Sequence, residues 1–230
     1  MLRITMGAVR GGLAPVLLLA GVLTGCGESP EEDPKATARA EGTTDASGAA
    51  GAAKSGGTIG AAGSACELPI TFAIAKGWKA KAVDSGAASG SSGGSDNELA
   101  EDVADALLHQ GPVTAACEID AKPAGNIGFL RVWTGSSADA DARTVLRAFV
   151  AAEDNTSKEK YRTFKAGDLS GVEVEYLYTS KLLDEVKKER ALAVSTPDGP
   201  VVLHLGGLDT EEHEAMLPAF ELAKRTLRVA

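Results

Sequence analysis

The chain has 230 residues and a formal net charge of −9 at pH 7, and its composition is uneven. All ten aromatic residues follow position 65, whereas 13 of the 27 glycines precede it, so only the later part can bury a core. The sequence predicts a single domain over residues 66–230 with a net charge of −8. An acidic domain without a basic stripe argues against nucleic acid as a partner and against electrostatic docking on anionic lipid.

The first 25 residues have the parts of a bacterial signal peptide. Arg3 and Arg10 give a positive start, and the apolar run LAPVLLLAGVL follows at 13–23 before small residues. This run of 11 residues is too short for a membrane-spanning helix, which needs about 20. The sequence therefore predicts export and removal of residues 1–25.

The tetrapeptide at 23–26, LTGC, resembles the lipobox of bacterial lipoproteins at every position. In that family the cysteine carries diacylglycerol, so the resemblance implies that Cys26 is the lipidation site. Acyl chains such as palmitate, at about 0.8 kcal/mol per buried CH₂, would then anchor the domain to the cell membrane on its extracytoplasmic side. The alternative is an ordinary secretory signal that happens to contain a cysteine. The high alanine and glycine content suggests an actinobacterial source.

A small, polar segment rich in Gly and Pro follows, which predicts a disordered tether over residues 26–65. Beyond it only two cysteines remain, Cys66 and Cys117, and an exported pair normally forms a disulfide. A metal pair and a thiol nucleophile are the alternatives, but a spacing of 51 residues without a CxxC motif favours neither. The disulfide would enclose a second Gly/Ser stretch, the insert at 85–97, which we expect to be flexible.

Hydrophobic periodicity and turn residues predict an alternation of strands and helices from residue 70 onward. Strands are predicted at 70–75, 115–121, 127–134, 158–166, 172–179, 189–196 and 201–206, and helices from about Asp96, over 138–154 and from Asp209.

Details of these elements can also be predicted. We expect the strands at 158–166 and 172–179 to form a hairpin in which Phe164 faces Val174 and Lys165 faces Glu173. A helical turn or a bend is expected at 182–186. Asp209 should cap the last helix, and Pro218 should kink or restart it.

This order predicts an α+β fold, a mostly antiparallel sheet of about six to seven strands with helices on both faces. It resembles the Mog1/PsbP-like α/β/α sandwich and, within it, the actinobacterial LpqN-type lipoproteins. The resemblance depends on Gly77-Trp78 at a strand end, a helix before a long meander, and the closing LPAF helix at 217–220. That family consists mostly of accessory or binding modules, so the resemblance implies no catalytic residues.

Candidate chemistry is sparse, and the sequence predicts no catalytic residue, metal ion or cofactor. His109 is expected at a helix end, His204 as a core histidine on an inner strand, and His213 in a helix without the second histidine of a zinc motif. Nothing in the spacing requires His204 and His213 to converge. The carboxylates of Glu173 and Glu175 are expected in exposed ion pairs.

The aromatic residues Trp133, Tyr176 and Tyr178, with Phe164, have two possible roles. Core packing is the simpler interpretation, and a shallow groove for a peptide, glycan or lipid is the alternative.

Three functions remain open. The first is a non-enzymatic binding or assembly module, anchored at Cys26, with a protein or another envelope component as partner. The second is a carrier or sensor of a small apolar ligand between sheet and helix, which an apolar cavity would favour. The third is an envelope hydrolase, which a polar cleft with converging His and Asp would favour.

Overall fold

The computed structural model describes residues 51–84 and 108–230. The predicted signal peptide, Cys26, most of the tether, the insert at 85–97 and the helix from Asp96 lie outside these ranges. The described strands are β1 (Ser55–Ile59), β2 (Ile70–Ala75), β3 (Lys79–Ala82), β4 (His109–Gln110), β5 (Val113–Asp120), β6 (Gly128–Thr134), β7 (Thr156–Ala166), β8 (Leu169–Ser180), β9 (Glu185–Thr196), β10 (Gly199–Gly207) and β11 (Arg228–Val229). The described α-helices are α1 (Ala142–Ala151) and α2 (Thr210–Thr226).

The strands form two sheets in which every pair of named strands is antiparallel. The main sheet has eight strands in the order β3-β5-β6-β10-β9-β8-β7, with β4 paired to β5, and the smaller sheet has the order β1-β2-β11. The prediction of a mostly antiparallel sheet is thus confirmed, although the strands outnumber the predicted six or seven. Most of the described chain is strand rather than helix, so the predicted helical layers are only partly realised.

Residues of β10 alternate between the two faces of the main sheet. Val201, Leu203 and Leu205 pack in one apolar cluster with the buried residues of α2. Val202 packs in another with the buried residues of α1. We call these the α2 face and the α1 face.

The strand β1 lies within the segment predicted to be a tether, so the predicted domain boundary at residue 66 is wrong. This strand pairs with β2, and its Ile59 is buried. The other four residues of β1 are exposed and none of them is a large apolar residue, so the sequence does not indicate a strand here. The backbone at Gly60, which has φ +106°, passes so close to β2 that only glycine fits. A Cβ on this residue would lie 1.8 Å from the Ile70 carbonyl oxygen.

The predicted disulfide between Cys66 and Cys117 is present, with both residues buried. It joins the segment that follows β1 to the middle of β5, and the two Cα atoms are 5.9 Å apart. The bond therefore ties the two sheets together covalently.

The hairpin β7–β8 is confirmed, but its predicted register is wrong. Phe164 pairs with Gly171 rather than Val174, because the strands meet in a two-residue turn between Ala166 and Leu169. Gly167 starts this turn with φ +59°, a conformation that glycine adopts without strain. A Cβ on Gly171 would lie 2.6 Å from the Phe164 ring, so the glycine makes room for the aromatic side chain across from it.

Two further expectations concern the C-terminal half. Asp209 caps α2 as predicted, because its side chain accepts a hydrogen bond of 2.8 Å from the Glu212 backbone N–H. The helix then continues through Pro218 to Thr226, so the predicted restart does not occur. The predicted helical turn or bend at 182–186 is also wrong in part, since β9 already begins at Glu185.

Candidate functional site

Four polar side chains meet on the α1 face of the main sheet. Tyr176 on β8 and Glu189 on β9 are directly paired across the strands. His204 on the next strand, β10, lies between Val202 and Gly206 and points to the same face. Glu153 follows the C-terminal end of α1 and reaches the other three from above. Together these four residues are called the polar cluster.

The distances in the polar cluster are short. The Tyr176 hydroxyl lies 2.8 Å from Glu153 Oε2, 3.1 Å from Glu189 Oε2 and 3.1 Å from His204 Nε2. His204 Nε2 lies 2.8 Å from the same oxygen of Glu189. Tyr176, Glu189 and His204 are all buried. The tyrosine hydroxyl is therefore the centre of the cluster.

The second oxygen of Glu189 has a separate partner. Lys187 Nζ lies 2.7 Å from Glu189 Oε1 and donates a hydrogen bond of 3.0 Å to the Gly207 carbonyl. Its ammonium group also lies over the Tyr178 ring, 5.3 Å from the ring centre. Lys187 thus compensates the charge of one buried carboxylate while leaving Oε2 directed at the cluster.

Aromatic rings fix the orientation of His204. Tyr176 stacks on the imidazole, with the ring centres 6.3 Å apart. Phe149 of α1 meets it edge-on at 5.6 Å, and Trp133 packs against Phe149 at the same distance. The imidazole is thereby held with Nε2 toward the carboxylates.

Burial and charge shift the acidities within the cluster. Burial raises the pKa of Glu153 above its ordinary value, and the charge of Glu189 raises it further. For Glu189 burial acts in the same direction, but His204 and Lys187 outweigh it and lower the pKa. Burial and the two carboxylates raise the pKa of Tyr176 well above its ordinary value. Glu189 is therefore the ionised member, and Tyr176 keeps its proton.

The polar cluster borders a cavity of about 530 Å³. Ile127 and Leu208, which are 49% and 52% exposed, are at its rim, so the cavity opens to solvent. We call it the polar cavity, and the other residues that line it include Gln110, Lys122, Phe129, Arg131, Trp133, Glu153, Tyr178, Lys187, Glu189, His204 and Gly206.

A second cavity of about 700 Å³ lies between β3, β5 and the segment after β1. Glu67 is the only charged side chain among the described residues that line it. The polar cavity is therefore the better candidate for chemistry, although it is smaller.

The polar cavity can bind a polar or positively charged group. Two carboxylates and an imidazole supply acceptors, and one ligand atom from each of Glu153, Glu189 and His204 lies within 4.8 Å of the others, close enough to hold a metal ion. The described residues that line the cavity include no serine, threonine or cysteine, and hence no hydroxyl or thiol of the usual nucleophiles.

The structure brings some of the residues selected from the sequence together here. Trp133, Tyr178 and His204 line the polar cavity, and Tyr176 lies buried behind it. Sequence reasoning missed Glu153, Lys187 and Glu189. No sequence signal marked Glu189, because the same face of β9 also carries Lys187 and Ser195.

The other candidates are not members of the polar cluster. His109 is the first residue of β4, directly after the helical residue Leu108, and it lines the polar cavity. His213 is buried in α2 and does not join the cluster through a hydrogen bond. Glu173 and Glu175 form the expected ion pairs, with Arg190 and Lys224 on the α2 face. The prediction that both carboxylates are exposed is wrong for Glu173, whose side chain is only 12% exposed.

A family model described as uncharacterised lipoprotein matches residues 35–227. The chain belongs to this family. Membership places it among membrane-associated envelope proteins, although the match begins after Cys26 and so does not cover the proposed anchor. A comparison with curated proteins finds no match. In the described residues, no helix combines the length and apolar character needed to cross a membrane.

A solved structure is also similar to part of the chain. The chain is similar to the solution structure of cyanobacterial PsbP (CyanoP) from Synechocystis sp. PCC 6803, with 13% identity and a TM-score of 0.43. The similarity covers 76% of this chain and 98% of that one. A likeness at this level supports no statement about fold family or function.

Proposed function

We propose that the chain is an envelope lipoprotein, anchored through Cys26 on the extracytoplasmic side of the cell membrane, whose domain is a non-enzymatic binding module. Three features support the anchoring: the family, the LTGC pattern at 23–26, and a disulfide that needs an oxidising compartment. In this proposal the polar cavity is the binding site.

The observation that carries the proposal is the burial of charge beside a cavity. Removing carboxylates from water costs several kcal/mol per ion unless partners compensate them. Apolar residues would fill the same positions on the sheet at less cost, as Ala191 and Val202 do next to the cluster. Charged groups kept under an open cavity can instead contact whatever enters it.

The cavity also limits the kind of ligand. Glu153 and Glu189 provide acceptors on one side, while Phe129, Ile127 and Leu208 provide apolar surface near the rim. A ligand with a cationic or donor-rich group at the carboxylates and an apolar part at the rim would satisfy both. A purely apolar ligand would leave the carboxylates unsatisfied, so the carrier of an apolar ligand is less well supported.

An envelope hydrolase is the second candidate, because the polar cavity contains the converging histidine and carboxylates that would favour an enzyme. Two observations favour binding. The central hydroxyl, Tyr176, is 1% exposed and faces other protein groups rather than the cavity. The imidazole of His204 already contacts both Glu189 and Tyr176, so it is not directed at a nucleophile.

The macromolecular partner is a separate part of the proposal. We infer a protein or another envelope component and no nucleic acid, because the chain is acidic. Proximity labelling from the anchored protein in its own cell would identify that partner.

Native mass spectrometry of the protein extracted from its own membranes tests the binding site. Gly206→Leu places a side chain over the cluster, since a Cβ at Gly206 lies in ordinary contact with His204 Cε1, at 3.6 Å. Ser136→Leu, in the second cavity, is the matched control. We expect a bound small species in the wild type and the control, and its loss in Gly206→Leu. Identical spectra for the wild type and Gly206→Leu would contradict the proposal.

A further inference from the structure

We propose that Glu153, Glu189 and His204 bind one divalent transition-metal ion at the inner end of the polar cavity. The inference deepens the proposed function, because it names the cation that the carboxylates would bind. Each residue contributes one ligand atom: a carboxylate oxygen from each glutamate and Nε2 of the histidine.

The spacing of these atoms suits a metal ion. Bonds of about 2.0–2.2 Å from Zn²⁺ to nitrogen and oxygen place neighbouring ligands about 3 Å apart. Glu189 Oε2 and His204 Nε2 are 2.8 Å apart, and all three ligand atoms lie within 4.8 Å of one another. Glu153 follows a helix end and is partly exposed, so it is the ligand with the most freedom to adjust to the ion.

The number of protons in the polar cluster is a second, independent argument. Four short contacts join its atoms, and each needs one proton to be a hydrogen bond. The Tyr176 hydroxyl supplies one, His204 Nε2 supplies at most one, and ionised carboxylates supply none. With both carboxylates ionised, two protons serve four contacts, so each proton has to be shared between two acceptors. A cation among these atoms removes the shortage.

Trp133 provides a third observation. It is 5% exposed, it lines the polar cavity, and its indole N–H has no hydrogen-bond partner among the described residues. A buried donor without a partner costs about 1–3 kcal/mol. A metal ion bound by three protein atoms keeps open positions for water, and such a water would be an acceptor for the indole.

The surroundings determine which ion fits. One imidazole and two carboxylates form a mixed nitrogen and oxygen set, which favours Zn²⁺ and similar first-row ions over Ca²⁺ and Mg²⁺, which prefer oxygen alone. The position just beyond the C-terminal end of α1 favours a cation. Lys187 at Glu189 Oε1 opposes it, as do Lys122 and Arg131, which line the same cavity. The other oxygen of Glu189 is the one left for the metal.

Zinc binding to the full chain, purified in detergent and stripped of metal with a chelator, tests the inference. By equilibrium dialysis in excess Mg²⁺ we expect one Zn²⁺ per chain, and a loss of affinity of about 100-fold in Glu153→Gln. Glu214→Gln, an exposed carboxylate on α2 that pairs with Lys188, is the matched control and should bind as the wild type does. Equal Zn²⁺ affinity in wild type and Glu153→Gln would overturn the inference.

A measurement on the wild type alone covers the case in which Glu153→Gln does not fold. X-ray absorption of the zinc-loaded wild type should show nitrogen and oxygen ligands with a single imidazole. A spectrum without imidazole would overturn the inference. If the wild type binds no Zn²⁺ but the small species is still lost in Gly206→Leu, the metal inference fails and the proposed function stands. If Gly206→Leu changes nothing, the proposed function itself fails.

Discussion

Burial of a single polar residue, His213, makes the stability of the fold depend on pH. It is 1% exposed in α2, and its Nδ1 has no hydrogen-bond partner among the described residues. Burial lowers the pKa of His213, and the charge of Arg190 lowers it further, to about 4, against the weaker opposing effects of Glu189 and Glu175. His204 also lies on the lowering side. The residue is therefore neutral in the folded protein.

We predict that this histidine destabilises the fold as the pH falls. The unfolded chain binds a proton at its ordinary pKa of 6.5, whereas the folded chain binds it only near 4, so stability decreases between these values. The loss between pH 6.5 and pH 5 should be roughly 1–2 kcal/mol. Urea unfolding at both pH values measures it, and His213→Gln should abolish most of the difference.

The comparison between variants is essential because Glu153 acts in the opposite direction. Its raised pKa means that the folded state holds a proton more tightly, so its contribution to stability decreases as the pH rises. His109→Gln, at an exposed position, is the control. If His213→Gln and His109→Gln show the same pH dependence, the role assigned to His213 is wrong.

Two neighbouring residues, Glu189 and Arg190, show why the site was hard to predict. They are adjacent in β9 and resemble an exposed charged pair, yet the strand sends them to opposite faces. Glu189 joins the polar cluster, and Arg190 pairs with Glu173 and Glu175. Sequence periodicity identifies the alternation but does not show that both faces are covered.

At the scale of elements, β1 is the segment whose role differs most from expectation. It pairs with β2 through backbone hydrogen bonds and buries Ile59, although its sequence, SGGTI, is typical of a linker. A strand of this kind is stabilised by pairing and packing with its neighbour. Its own composition therefore does not indicate that it is a strand.

We predict that a chain beginning at Ser64 is less stable than one beginning at Gly51. Deleting β1 exposes the surface that Ile59 covers, which alone is worth about 1.5–3 kcal/mol, and frees the edge of β2. Urea unfolding of the two chains measures the loss. Removal of residues 27–50 is the control and should leave stability unchanged. Equal stability of the chains from Gly51 and Ser64 would show that β1 is dispensable.

Elements with strong local patterns were predictable, and their pairing was less so. The bounds of β2 and the cap of α2 follow from an apolar run and from an Asp three residues before a Glu. The β7–β8 register was shifted, because the turn uses two residues and the glycine at 171 serves packing against Phe164. Local sequence does not distinguish a glycine needed by a turn from one needed by a neighbour.

The polar cluster depends on long-range arrangement in the same way. His204, Tyr176 and Trp133 could be selected by residue type, whereas Glu153 and Glu189 could not. Their relevance appears only when β8, β9 and β10 are known to be neighbours and α1 is known to end above them. The spacing of these residues along the chain does not indicate that they meet in the fold.

At the scale of the whole molecule, the family, the disulfide and the sequence pattern agree on one setting. Lipoproteins are envelope proteins, the Cys66–Cys117 bond requires oxidising conditions, and the first 25 residues have the pattern of an export signal. In this setting the polar cavity would meet envelope ligands. Location at the membrane depends on the proposed anchor at Cys26.

Metabolic labelling with an alkynyl fatty acid tests that anchor most directly. We expect the wild type to be labelled and to sediment with membranes, and Cys26→Ser to be unlabelled and released. Cys26→Ser should keep the Cys66–Cys117 disulfide, seen as the absence of free thiols on alkylation, because Cys26 is not part of that bond. A Cys26→Ser protein that still carries the fatty acid would contradict the account.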